Sequence, residues 1–144
     1  MSGRRPGLML DGCQLIDLPV IADSRGTLTV VEGNTHIPFQ IARVFYMYDV
    51  AAGSERGGHA LKTTHQVLIA TSGSVTVHLD DGEVQDECHL DSPSQGLHIP
   101  PGIWRSMDGF SANSVLLVMA STAFDADDYF HDWDDFLAHH QDYR

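Results

Sequence analysis

The residues that could do chemistry gather in two short stretches of a 144-residue chain. The first is Gly53-Ser-Glu-Arg56-Gly-Gly-His59-Ala-Leu61-Lys62-Thr-Thr-His65-Gln66, running on to Gly73. The second is Pro100-Pro-Gly102-Ile-Trp104-Arg105. An imidazole such as His59 trades a proton near neutral pH, which suits a general acid or base. A guanidinium such as Arg105 stays charged and can hold an oxygen on which negative charge develops. Arg56 and Lys62 flank His59 and could hold a phosphate. Proton transfer beside a stabilised anion is the chemistry these types suit.

Those stretches need a scaffold, and its signature is short strands. Val75, Val77 and Leu79 alternate with Ser74, Thr76 and His78, so one face of that strand is buried. Residues 14–20, 27–32, 40–50, 63–70, 84–90 and 97–99 read as further strands, and 114–120 as a fully apolar run typical of a buried strand. Turn residues punctuate them at Asp23-Ser-Arg-Gly26, Ser72-Gly73 and Asp80-Asp-Gly82. This is an all-β sandwich or barrel, not alternating strands and helices. The strands form a core over about residues 14–121. After Ser121, Tyr129, Phe130, Trp133, Phe136 and Leu137 recur at helical spacing, so 122–138 reads as a short acidic amphipathic helical segment. The expected organisation is one domain over residues 1–144.

Composition narrows the partners. Apolar residues make up 42% and charged residues 19%, which suits a soluble globular chain rather than a disordered one. The net charge is −12, which argues against nucleic acid or an anionic membrane as partner. Residues 1–62 carry six basic and six acidic side chains, whereas 63–144 carry two basic and fourteen acidic. No apolar run suits a signal peptide or a membrane span, so the expected location is cytoplasmic. Cys13 and Cys88 form no Cys-x-x-Cys and read as reduced thiols.

The two stretches resemble the two motifs of the cupin family. The first cupin motif is a glycine, five residues, His-x-His, three or four residues, Glu, six residues and a glycine. Here Gly53 is followed after five residues by His59, then Leu61 at the second histidine, Gln66 at the glutamate and Gly73 six residues later. The second motif centres on Pro-x-Gly, two residues and His, matched by Pro100-Pro-Gly102 and Arg105. The resemblance implies a cupin double-stranded β-helix, or jelly roll, with these side chains pointing inward. In metal-binding cupins the ligands would fall at His59, Leu61, Gln66 and Arg105. A leucine has no lone pair and an arginine repels a cation, so no metal is expected.

The chain further resembles the sugar-nucleotide 3,4-ketoisomerases, metal-free cupins. The similarity rests on Arg43-Val-Phe-Tyr46, Arg56-Gly-Gly-His-Ala-x-Lys62, Gln66-Val-Leu-Ile, Leu79-Asp-Asp-Gly82, Ile99-Pro-Pro-Gly-x-Trp104, Val115-Leu-Leu-Val118-Met-Ala-Ser121 and Asp128-Tyr129. It implies isomerisation of a dTDP-linked 4-keto-6-deoxyhexose to its 3-keto isomer in deoxysugar biosynthesis, without a cofactor and as a homodimer. It implies His59 as the acid/base, with Arg105 and Tyr46 shaping or polarising the reacting end. Arg56, Lys62, Arg43, Tyr48, His65, Gln66 and Trp104 are the expected substrate contacts. Leu61 stands where the family has its second histidine. His59 alone could shuttle the proton, or Tyr46, Tyr48 or His65 could take the second role. The alternative is a non-catalytic sugar-nucleotide-binding cupin that has lost activity.

Plainer roles stand beside these. His59 could be a hydrogen-bonded interior histidine, and Arg56 and Lys62 surface charges. Trp104 and the Tyr46 region could be core or interface aromatics. His139-His140 reads as a disordered tail and the acidic 125–135 as a solvated helix face. The sharpest expectation is electrostatic. Arg43, Arg56, Lys62 and Arg105 should form a small basic pocket inside an acidic shell.

Overall fold

The structure, a computed structural model, describes residues 10–143. The reading of the first residues as lacking a signal peptide falls mostly outside that range. Strands β1 (Gln14–Asp17), β2 (Val20–Asp23) and β3 (Gly26–Thr29) come first. Then follow β4 (Arg43–Tyr48), β5 (Arg56–Leu61), β6 (Gln66–Ser72), β7 (Val75–Asp80) and β8 (Gln85–Leu90). They continue with β9 (Gln95–Ile99), β10 (Trp104–Asp108), β11 (Val115–Ala120) and the two-residue β12 (Tyr129–Phe130). Helix α1 (Trp133–His139) follows, with 3-10 turns at Ala126–Asp128 and His140–Tyr143. Among the described residues no helix is long and apolar enough to cross a membrane.

The body is the expected all-β jelly roll. One antiparallel sheet has the order β1-β9-β6-β11-β4, and the facing sheet has β12-β5-β10-β7-β8. Val75, Val77 and Leu79 of β7 are buried, as the alternation predicts. They meet Leu68, Leu97, Ile99, Leu116 and Val118 from the other sheet in the core between the two. A second cluster covers the outer face of the first sheet, where Ile37 and Phe39 lie on Val67, Ile69 and Met119. A third covers the outer face of the second sheet, where Phe136 of α1 packs with Ala60, Phe130 and Trp104.

Two strands, β5 and β10, were not visible as strands in the sequence. Neither shows a plain apolar alternation. In β10 the residues facing the core are Arg105 and Met107, while Trp104 and Ser106 face out. In β5, Gly57 and Gly58 take left-handed backbone angles, φ 88° and 79°. A Cβ on Gly57 would lie 3.0 Å from the Arg105 carbonyl oxygen, so the glycine allows β5 to close on β10.

The C-terminal segment, expected as a short helix or a pair of turns over 122–138, holds a 3-10 turn, the short strand β12 and then the helix α1. Asp128 is buried and accepts hydrogen bonds from the Thr63 backbone N–H (2.8 Å), the Thr63 hydroxyl (2.7 Å) and the Thr64 hydroxyl. These bonds pin the chain to the end of β5 and hold Tyr129 and Phe130 as a strand against Leu61 and Ala60. The helix starts only at Trp133. The Asp132 carboxylate caps it by accepting from the Asp135 N–H at 3.0 Å, and Asp134 and Asp135 suit its first turn. The expectation of a tail at His139-His140 is corrected. His140 covers Gly82 and lies 3.3 Å from a Glu83 carboxylate oxygen, and Tyr143 covers Gly102.

The wholly buried Phe136 ties the helix to the outer face of the second sheet. Phe136→Ala is expected to destabilise the fold by about 3–5 kcal/mol in urea unfolding. A loss under about 1 kcal/mol would mean that the helix is not part of the folded unit.

Candidate active site

Strands β5 and β10 run antiparallel with His59 directly opposite Arg105. Cross-strand partners share a face, so both side chains enter the space between the sheets. There they border a cavity of about 270 Å³ with Gln66, Arg56, Met107 and Tyr129. Phe45, Leu68 and Val118 supply apolar wall. A mostly apolar cavity with a few converging polar groups is the usual form of a small-molecule site.

Arg105 is 1% exposed. Its Nη1 donates to the Gln66 amide oxygen at 2.6 Å and its Nε to the Ile103 carbonyl at 3.2 Å. Its Nη2 is buried and has no hydrogen-bond partner among the described residues. Burial lowers its pKa to about 10, so it remains a cation at neutral pH. His59 is pushed down to about 4, first by burial, then by the Arg105 charge and the neighbouring His131. It is therefore a neutral imidazole at pH 7, with a lone pair free to take a proton. The donor set of one imidazole, one amide oxygen and one guanidinium does not suit a divalent metal.

Further residues complete the rim. Tyr129 sets its ring 5.1 Å from His59 at an interplanar angle of 70°. His131 lies flat on Tyr129, with centroids 5.4 Å apart and planes 6° apart. Arg43 donates from Nη2 to the Tyr129 hydroxyl at 3.5 Å, and its guanidinium sits 5.5 Å over Phe45 and 5.6 Å over Phe124. Tyr129 and His131 were not singled out in the sequence as site residues. Their signal was positional: they are two apart, so on an extended strand they share a face.

Five expected substrate contacts do not border this cavity: Arg43, which stands behind Tyr129, and four that lie farther off. Lys62 lies on the outer side of β5, its Nζ 5.0 Å from the Phe130 ring. Trp104 packs on the same outer side, edge-on to Trp133 at 5.4 Å. His65 lies behind the first sheet, stacked on His98 with Nδ1 and Nε2 3.0 Å apart, beside Phe39. Tyr48 is 61% exposed and faces away from the core. The cause is strand parity: Lys62 is three residues from His59, and Trp104 is adjacent to Arg105. Tyr46 borders the cavity, yet it is 59% exposed and its ring pairs with Tyr48 at 5.9 Å. The basic pocket thus comprises Arg105 and Arg56 with Arg43 behind Tyr129, and Lys62 lies outside it.

Comparison with known proteins places this geometry. The family described as "FdtA: WxcM-like, C-terminal" matches residues 11–141. The TDP-4-oxo-6-deoxy-alpha-D-glucose-3,4-oxoisomerase of Aneurinibacillus thermoaerophilus is 43% identical over 123 residues, 85% of this chain and 88% of that one. The sugar 3,4-ketoisomerase QdtA of Thermoanaerobacterium thermosaccharolyticum, solved with TDP, superposes with a TM-score of 0.91 at 40% identity, covering 94% of this chain and 98% of that one. A histidine-to-asparagine variant of that enzyme was solved with TDP-4-keto-6-deoxyglucose. The TDP-quinovose 3,4-ketoisomerase WlaRB of Campylobacter jejuni gives 0.86 at 40% identity, covering 90% and 99%.

Arg105 is the second cause of the low His59 pKa, after burial. In Arg105→Met, NMR titration of the His59 ring should therefore find a midpoint above about 4 but still below the free value of 6.5. An unchanged midpoint would separate the two groups electrostatically.

Proposed function

Because the chain belongs to the FdtA family of WxcM-like C-terminal domains, we propose that it is a metal-independent sugar-nucleotide 3,4-ketoisomerase. Its substrate is a dTDP-linked 4-keto-6-deoxyhexose, and its product is the 3-keto isomer. The observation that carries this reading is the buried, unpaired Nη2 of Arg105 across the strand pair from neutral His59. The relatives' activity and that pair favour an enzyme over a binding protein that has lost activity.

The chemistry follows from those two groups. His59 takes the proton from C3, and the C–H electron pair becomes the C3–C4 double bond of an enediolate. The former C4 carbonyl oxygen gains negative charge, which the Arg105 guanidinium stabilises in a site shielded from water. Transfer of the O3 proton to O4, with return of a proton from His59 to C4, then gives the C3 ketone and a C4 hydroxyl. Atoms and electrons balance without a redox cofactor, because oxidation at C3 matches reduction at C4. Gln66 holds the Arg105 fork in place, and Arg56 at the cavity edge suits the diphosphate.

The homodimer is part of the same reading. The β2–β3 hairpin pairs with neither sheet, and Val20, Ile21 and Leu28 on it are 55–59% exposed. Strand β4 is the open edge of the first sheet, with Val44 53% exposed beside Tyr46 and Tyr48. A second copy whose hairpin covers these apolar surfaces suits both.

Two measurements test this reading. Incubation with dTDP-4-keto-6-deoxyglucose should give a 3-keto product by NMR, and His59→Asn should lower kcat roughly 100- to 10,000-fold. Binding of the nucleotide with no product would overturn the enzymatic assignment. Sedimentation equilibrium should give twice the chain mass, and Ile21→Glu combined with Val44→Glu should shift it to one. A monomeric wild type would overturn the dimer.

A further inference from the structure

Leu61 leaves β5 with one proton-carrying side chain in the cavity. Leu61 is wholly buried and pairs backbone to backbone with Tyr129. A second imidazole reaches His59 from a different element. In the segment Tyr129-Phe130-His131, Phe130 turns into the cluster with Phe136, and Tyr129 and His131 turn the other way. The His131 ring is 6.2 Å from the His59 ring at 66°, and His131 is exposed to solvent while His59 is half-buried.

From this arrangement we propose that His131 is the solvent-side proton station of His59, a positioning residue that acts through His59 rather than on the sugar. It rests on the ketoisomerase reading and extends it. The rings are too far apart for a direct hydrogen bond, so the path between them runs through water at the cavity mouth. His59 takes the C3 proton. It either returns that proton to C4 or passes it outward to His131 and receives a solvent proton by the same path. The number of protons on the enzyme is unchanged after each cycle. The charged and titratable groups facing His59 are Arg105 from β10, Tyr129 and His131 from the C-terminal segment, and Arg56 from its own strand. Arg43 of β4 stands behind Tyr129. His131 adds to the forces that keep His59 neutral.

The test uses His131→Phe, which keeps a flat ring on Tyr129 and carries no exchangeable proton. With dTDP-4-keto-6-deoxyglucose in deuterium oxide, the wild type should place deuterium at C4 of the 3-keto product. In the variant the deuterium-to-protium ratio at C4 should fall several-fold. Without substrate, NMR titration of His59 in the variant should give a midpoint above the wild-type one, because a repelling neighbour is gone. His131→Gln should behave as the phenylalanine variant does in both readouts. Wild-type deuterium incorporation and a wild-type His59 midpoint in His131→Phe would overturn the proposal. Absence of any 3-keto product from the wild type would overturn the ketoisomerase reading, whereas a 3-keto product with the same deuterium content at C4 in both proteins would overturn the His131 proposal alone.

Discussion

A cation buried without a carboxylate is the constraint on which this molecule depends. Removing a guanidinium from water is costly, and partners must offset the loss. Among the described residues Arg105 finds neutral hydrogen-bond partners, the Gln66 amide and the Ile103 carbonyl. A carboxylate in place of Gln66 would neutralise it. The amide fixes the fork and leaves its charge to act on the cavity. That charge helps keep His59 neutral and able to accept a proton. It also favours any bound species that gains negative charge on oxygen, which an enediolate does. In the proposed mechanism one guanidinium therefore both keeps the base neutral and stabilises the enediolate.

Holding that pair in register requires much of the fold. The left-handed Gly57 lets β5 approach β10 where His59 and Arg105 face each other. The Asp128 carboxylate ties the chain after β11 to Thr63 and Thr64, which follow β5 directly. That tie sets Tyr129 against His59 and starts the turn into α1. The acidic C-terminal segment is thus part of the site's frame, and its other carboxylates remain outside as the solvated shell.

The sequence made some of this legible and hid the rest. Motif spacing picked out His59, Gln66 and Arg105, and the structure brings these three to one cavity, because the spacing survives even where the residue types differ from the motif. Alternation found β7 and the buried run of β11. It failed at β5 and β10, where an arginine points inward and glycines break the pattern, so the strands that carry His59 and Arg105 were the least visible. Proximity along the chain then misplaced Lys62, His65 and Trp104, although two of these sit on the opposite face by parity alone. Tyr129 and His131 were hidden because the aromatic spacing of 129–137 also fits a helix. The bonds of Asp128, which no local pattern displays, decide for a strand.

The most direct measurement is a crystal structure of His59→Asn with dTDP-4-keto-6-deoxyglucose bound. The Arg105 Nη2, unpaired in the free protein, should then lie about 3 Å from the C4 carbonyl oxygen, with C3 facing residue 59. A hexose lodged outside the cavity, with Nη2 still unpaired, would contradict the assignment of Arg105 as the group that holds the enediolate.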